Sequence, residues 1–297
     1  MPSPAPYAAT AASETILVQA PYRIGAVTLV AHELETLARF YRDAIGLSEV
    51  SRDAGTVRLG VGDTVLLVLK GNPAARRWTP EQAGLFHTAF LLPSRGDLGA
   101  WLLHADGTGI RLTGAADHRV SEAVYLDDPE GNGIEIYVDR PSAAWPRAAD
   151  GTVVMRNEPL DRPGLVGAVV RPWQGMPAGG TIGHVHLQVG ELEAAERFYA
   201  GLLGFDVMCR YPGALFLGSG GYHHQLAGNT WNSRGASVRP EGTTGLAEVM
   251  VQAEGGTLAI ARTRCQEAGL PFAEEGDDLL LQDPWGTHLR LTPATRR

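Results

Sequence analysis

The chain has 297 residues, 44% hydrophobic and 20% charged, a length that at roughly 100–200 residues per domain accommodates two compact units with substantial cores. Twenty-five Lys and Arg against 33 Asp and Glu leave a net charge of −8, which argues against a nucleic-acid footprint and a polybasic membrane anchor, and no apolar run reaches the ~18–20 residues of a membrane span. Cys209 and Cys265 are the only cysteines, too few for a disulfide framework or a cysteine-based zinc site. The first residues, MPSPAPYAATAASETILVQAPYR, have no charged start followed by an apolar stretch, so they do not read as a signal peptide and a cytoplasmic protein is expected.

In chain order, residues 1–21 read as a loose arm. A strand follows at Ile24–Val30, then an amphipathic helix at Leu34–Gly46 with Leu34, Leu37, Phe40 and Tyr41 at helical spacing. Short apolar runs at Thr56–Val61 and Thr64–Leu69 supply further strands. The plan restarts with a strand at Leu85–Leu92, a helix near Leu98–Ala105, and strands at Ala123–Leu126 and Gly133–Val138. Residues 140–180, rich in Pro, Gly and Arg, read as an extended linker. The same plan then runs twice more, from Ile182 and from Leu246.

The two halves, 22–139 and 181–297, repeat one another. Ile24–Leu47 aligns without gaps on Ile182–Phe205, with 11 of 24 positions identical, including Glu-Leu-Glu and Arg-Phe-Tyr. GLFHTAFLLP from Gly84 matches GLAEVMVQAE from Gly245 more weakly, and DDPEGNGIEIYV from Asp127 matches QDPWGTHLRLTP from Gln282. Each half therefore holds two strand–helix–strand–strand–strand units, four in all, and duplication is the economical explanation.

Four such units, with FY in the helix, GLFH opening a strand and DPEGNGIEIY ending a hairpin, resemble the vicinal oxygen chelate (glyoxalase/extradiol dioxygenase) superfamily over roughly residues 22–293. The resemblance implies an α+β fold of four βαβββ modules, paired into two open eight-stranded cups, each cup shaped to hold one metal ion. Ligands in that superfamily come from the first and last strands of modules. The matching first-strand positions are Ala26, His87, His184 and Glu248; the last-strand carboxylate position holds Glu135 in module two and Arg290 in module four. Pairing neighbouring modules leaves each cup short of ligands. Pairing modules two and three brings His87, Glu135 and His184 together as two histidines and one carboxylate, the facial arrangement that leaves open positions on iron(II). The linker is long enough for this, so the active cup is expected on modules two plus three.

Spacing alone does not choose between His184 and His186, which share a strand face; the resemblance implies His184. Glu135 on its own reads equally as a solvent-facing strand residue. The run His118, five residues, Val124-Tyr125, two residues, Asp128-Pro129-Glu130-Gly131, three residues, Glu135 resembles the extradiol ring-cleavage signature, departing mildly at Ala116. With GGYHHQLAGN it is similar to catechol 2,3-dioxygenases of the CatE type. That resemblance implies an acid–base histidine in this segment, by position His224 rather than His223; strand neighbours face opposite ways, so only one of the two reaches the cup, and read from the residues alone the pair simply sits at a strand edge. The resemblance implies a donor role for Tyr125 and substrate contact or site closure for His118. Read from the residues alone, Tyr125 is an ordinary strand aromatic and His118 caps a loop.

The implied reaction is iron(II)-dependent opening of a catechol ring beside its diol by O2, giving a muconic semialdehyde, with manganese(II) as the other ion such ligands accept. A glyoxalase-like isomerase or transferase of the same fold would carry a second carboxylate where HHQLAGN has none. A metal-free binding or resistance protein would not need His87, His184 and Glu135 together. The expected partners are a small aromatic diol and O2, with no nucleic acid and no membrane; exposed strands and long linkers are compatible with a homodimer. Trp145, Trp173, Asn229 and Trp231 are substrate-pocket candidates that the sequence does not place.

Overall fold

The computed structural model describes residues 16–294. Module one opens with β1 (Tyr22–Ala31), whose first residues alternate in burial and whose Val27 and Leu29 are fully buried, whereas strands at the centre of a sheet are buried on nearly every residue. Module one continues with α1 (Leu34–Asp43), β2 (Ser48–Asp53), β3 (Thr56–Val61) and β4 (Thr64–Gly71). Module two comprises β5 (Gly84–Leu91), α2 (Arg95–Thr108), β6 (Gly114–Asp117), β7 (Ser121–Asp127) and β8 (Gly133–Asp139). A short helix α3 (Arg162–Gly167) lies between the halves. Module three holds β9 (Thr181–Gln188), α4 (Leu192–Glu196, continued by a π turn at Arg197–Leu202), β10 (Asp206–Tyr211), β11 (Ala214–Gly218) and β12 (Leu226–Asn229). Module four holds β13 (Gly245–Ala253), α5 (Gly255–Glu267), β14 (Phe272–Glu275), β15 (Asp278–Gln282) and β16 (His288–Pro293).

The strands form two eight-stranded sheets, ordered β14-β15-β16-β13-β1-β4-β3-β2 and β10-β11-β12-β9-β5-β8-β7-β6. The first joins modules one and four; the second joins modules two and three. Each seam is one antiparallel pairing of first strands, β1 with β13 and β5 with β9. Within every module the last strand runs parallel to the first, as β8 does beside β5.

The Arg-Phe-Tyr and Asp-Pro motifs of the repeat hold the two sheets together. Asp128 folds its own turn by accepting from the backbone N–H groups of Glu130 (2.8 Å) and Asn132 (2.9 Å). Its other oxygen accepts from the Tyr41 hydroxyl of α1 at 3.0 Å, so module one is tied to module two although their strands lie in different sheets. The second half repeats the device. Asp283 accepts from Trp285 N–H (2.9 Å), Thr287 N–H (2.8 Å) and the Tyr199 hydroxyl (2.9 Å). Both tyrosines are fully buried.

Two stretches differ from their sequence-based expectation. Residues 140–180 are not a free linker: Trp145, Val153 and Leu165 are buried, and Glu158 forms a backbone bridge with Asp117. Apolar anchors spaced along a Pro- and Gly-rich stretch carry no periodicity, which is why the sequence alone does not reveal this packing. Gly99 permits the docking of α3 on α2, because a Cβ there would lie 2.1 Å from the Leu165 carbonyl oxygen. Of the expected arm, residues 1–15 lie outside the described residues. Leu17 and Ala20 are buried, and Leu17 shares a small apolar cluster with Trp145, Val153 and Tyr222.

Removing either tyrosine hydroxyl leaves a buried aspartate short of one donor, which costs about 1–3 kcal/mol. Tyr41→Phe and Tyr199→Phe are each expected to lower the urea midpoint accordingly, and their effects to add, since they share no partner. Unchanged midpoints would show that these bonds do not hold the modules together.

Candidate metal centre

Strand register builds the centre. On β5, His87 and Ala89 point to one face. Ala89 lies opposite Glu135 of β8 on one side and opposite His184 of β9 on the other. Glu135 and His184 are therefore two strands apart, close to 10 Å at the backbone, and their side chains meet above the small Ala89. Tyr125 of β7 lies opposite Glu135 and extends the same row. A parallel row runs from His87 to His186 of β9, Ala227 of β12 and Phe216 of β11. A register shift between Leu85 and His87 interrupts the β5–β9 ladder beside this row.

The three side chains converge. His87 Nε2 lies 3.0 Å and His184 Nε2 3.1 Å from the same carboxylate oxygen, Glu135 Oε2. His87, Glu135 and His184 are 6%, 2% and 2% exposed. His87 Nε2 is buried beside that oxygen without the alignment of a hydrogen bond, and an orphaned donor atom in this position is what a shared cation would satisfy. Two imidazole nitrogens and one carboxylate oxygen form a donor set suited to a divalent transition ion. Burial would raise the Glu135 carboxyl, but the His184 and His87 imidazoles set against it outweigh that and hold it well below the usual carboxylate range. Burial pushes His184 down to about 4 despite the neighbouring Glu135. Neutral imidazole beside ionised carboxylate is the protonation state that ligands require.

His186 stands outside this group. Its Nε2 accepts from the Asn229 amide at 3.1 Å, and its ring lies 4.9 Å from that of His87. In the outer sheet the equivalent positions have another fate: Arg290 lies 3.4 Å from Glu248 and reaches Glu275 and Asp278 at 3.0 and 2.9 Å. Among the described residues, His87, Glu135 and His184 are the set placed to share an ion.

A cavity of about 480 Å³ opens over the three residues, within the usual size for small-molecule sites. His118, Tyr125 and His224 line it together with His87, Glu135 and His184. The His118 ring is oriented by its partners. Its Nδ1–H must donate to the Arg156 carbonyl at 3.1 Å, which leaves Nε2 to accept from the Tyr125 hydroxyl at 2.6 Å. Burial and the Glu135 carboxylate raise the Tyr125 hydroxyl well above its ordinary value, so it stays a donor. The His223–His224 pair lies not on a strand, as expected, but in an irregular segment before β12. Only His224 lines the cavity, its ring 4.1 Å from that of His184; His223 is fully buried.

Aromatic side chains complete the wall. Phe86 packs edge-on against Trp231 with centroids 5.3 Å apart, and Phe216 against His224 at 4.9 Å. Of the unplaced candidates, Trp231 lines the cavity and Asn229 holds His186, whereas Trp145 packs against Tyr222 and Trp173 lies near His104. Phe86 and Phe216 carry no sequence signal beyond sitting on predicted strands; their place follows only from register.

Residues 23–136 and 181–287 match the family model described as Glyoxalase/Bleomycin resistance protein/Dioxygenase superfamily. The chain is 38% identical over 268 residues to a catechol-2,3-dioxygenase of Bacillus subtilis, covering 88% of this chain and 93% of the relative. It is 29% identical over 121 residues to a biphenyl-2,3-diol 1,2-dioxygenase of Rhodococcus globerulus, covering 39% and 63% of the two chains. Among solved structures, a glyoxalase I mutant of Zea mays aligns with TM-score 0.57 at 15% identity, covering 96% of this chain and 97% of that one. A putative dioxygenase of Bacillus subtilis aligns with TM-score 0.58 at 14% identity, covering 92% and 86%. At those identities the structural matches speak for the fold alone, while the family model and the first relative each span most of the chain. The protein belongs to the glyoxalase/bleomycin resistance protein/dioxygenase superfamily.

Proposed function

We propose that this protein is an extradiol dioxygenase that opens a catechol-type ring beside its diol with O2, yielding a muconic semialdehyde and incorporating both oxygen atoms. His87, Glu135 and His184 are the residues that would hold iron(II), with manganese(II) the other ion this donor set accepts. The observation that carries the reading is their convergence within 3.0–3.1 Å at the floor of an aromatic-walled cavity that also presents His224 and Tyr125. The similarity to a catechol-2,3-dioxygenase over most of both chains supports it.

When bound, the metal ion would supply Lewis acidity toward the diol oxygens and electron-transfer chemistry toward O2. The side chains divide the remaining work. Phe86, Phe216 and Trp231 offer apolar surface to a flat ring and exclude water from it. His224 and Tyr125 stand beyond opposite ends of the His184–Ala89–Glu135 row, so a bound diol lies between them. His224, neutral because burial depresses it far below its ordinary value, takes a proton from a diol hydroxyl and later returns it. Tyr125, protonated and resting against His118 Nε2, turns its one O–H proton from His118 to a diol oxygen on the other side.

Three outcomes follow. Iron(II)-reconstituted wild-type protein is expected to retain one ion per chain, measured by elemental analysis, whereas His184→Ala and Glu135→Ala lose it. Ala89→Leu is expected to lose the ion as well, although no ligand is altered, because the larger side chain fills the space in which Glu135 and His184 meet. Anaerobically reconstituted wild type given catechol and air is expected to form the yellow ring-fission product. There His224→Phe should keep its iron but lose about 10²–10⁴-fold in kcat. Tight iron binding with no ring opening of any simple catechol would overturn the proposal.

A further inference from the structure

Behind His224 lies a hydrogen-bonded chain that the reaction scheme above does not use. Strand β8 carries Glu135, Tyr137 and Asp139 on one face, so the strand that supplies the candidate carboxylate ligand also supplies a second buried carboxylate four residues on. His223 Nε2 lies 2.8 Å from Asp139 Oδ1, and His223 Nδ1 lies 2.7 Å from His224 Nδ1. The other carboxylate oxygen, Asp139 Oδ2, accepts from the Tyr222 hydroxyl at 2.9 Å, and Tyr222 in turn meets the Tyr137 hydroxyl at 2.9 Å. The His223 ring is boxed in by Tyr222 and Trp145, with centroids at 4.1 and 5.1 Å. Gly183 makes room for this arrangement, since a Cβ there would fall 1.7 Å from the Tyr137 hydroxyl oxygen.

We infer that Asp139 and His223 are positioning residues that fix which ring nitrogen of His224 presents its lone pair to the cavity; the inference rests on the acid–base role proposed above. The argument is one of donors and acceptors. A carboxylate only accepts, so the proton of neutral His223 sits on Nε2, facing Asp139. His223 Nδ1 is then an acceptor, and the contact with His224 is made only if His224 carries its proton on Nδ1. That leaves His224 Nε2 unprotonated, the state a base requires before substrate binds. A lone histidine would divide between tautomers. Here two hydrogen bonds in series, anchored by a buried carboxylate whose second oxygen is tied to Tyr222, select one.

The test reads the tautomer directly. In full-length protein labelled with 15N-histidine and loaded with zinc as a diamagnetic probe, long-range 15N–1H correlation spectra are expected to show wild-type His224 protonated on Nδ1 alone and His223 on Nε2 alone. Asp139→Leu and Asp139→Val, which leave His223 Nε2 no acceptor there, should bring up the Nε2-protonated form of His224. In the iron enzyme the same variants should lower kcat by about a hundredfold or more with KM and bound iron little changed. A wild-type His224 protonated on Nε2, or a His223 protonated on both nitrogens, would overturn the inference, as would variants that keep the wild-type tautomer. Failure of the wild-type protein to open any catechol would instead remove the proposed reaction, and the spectra would still decide how the pair is protonated.

Discussion

The antiparallel pairing of β5 with β9 is the constraint on which the candidate centre depends. That one seam joins modules two and three, which are separated in sequence by some forty residues of connecting chain, and it sets His184 beside Ala89 and His186 beside His87. Because side-chain direction alternates, a shift of one residue would turn every inward group outward. The position between the two candidate ligands must also stay small. Ala89 lets a carboxylate and an imidazole from strands on either side of β5 approach within 3.1 Å.

The duplicated halves put one scaffold to two uses. In both sheets, first strands meet antiparallel and last strands flank them in parallel. The inner sheet gathers His87, Glu135 and His184, whereas the outer sheet has Ala26, Glu248 and Arg290 at corresponding positions. Arg290 satisfies three carboxylates there, and a fixed guanidinium opposes a cation. Tyr41–Asp128 and Tyr199–Asp283 then tie each inner module to an outer one. The second sheet is thereby tied to the first, while its own matching positions hold an ion-pair network centred on Arg290.

Much of this was legible in the sequence, because strands and helices with a repeated period announce themselves. His87 and His184 stand at matching first-strand positions and Glu135 on a last strand; the resemblance to the superfamily marks these as ligand positions, and counting ligands then favours the inner pairing before any coordinates are known. The limits have physical causes. The Tyr41–Asp128 bond joins two motifs visible in the repeat, yet nothing local says that they touch across sheets. Residues 140–180 pack through isolated anchors such as Trp145 and Leu165, which follow no period. The His223–His224 pair sits in an irregular segment, where alternation cannot say which ring faces the cavity. Asp139 looks like an ordinary strand-end acid until β8 brings it to His223.

The central claim is that one divalent metal ion belongs between His87, Glu135 and His184 in the inner cup. Crystals of the iron(II)-reconstituted protein, with diffraction recorded on either side of the iron absorption edge, test it most directly. A single anomalous peak enclosed by His87 Nε2, His184 Nε2 and the Glu135 carboxylate is the predicted result. A peak elsewhere in the chain, or no peak in protein that turns over catechol, would contradict it.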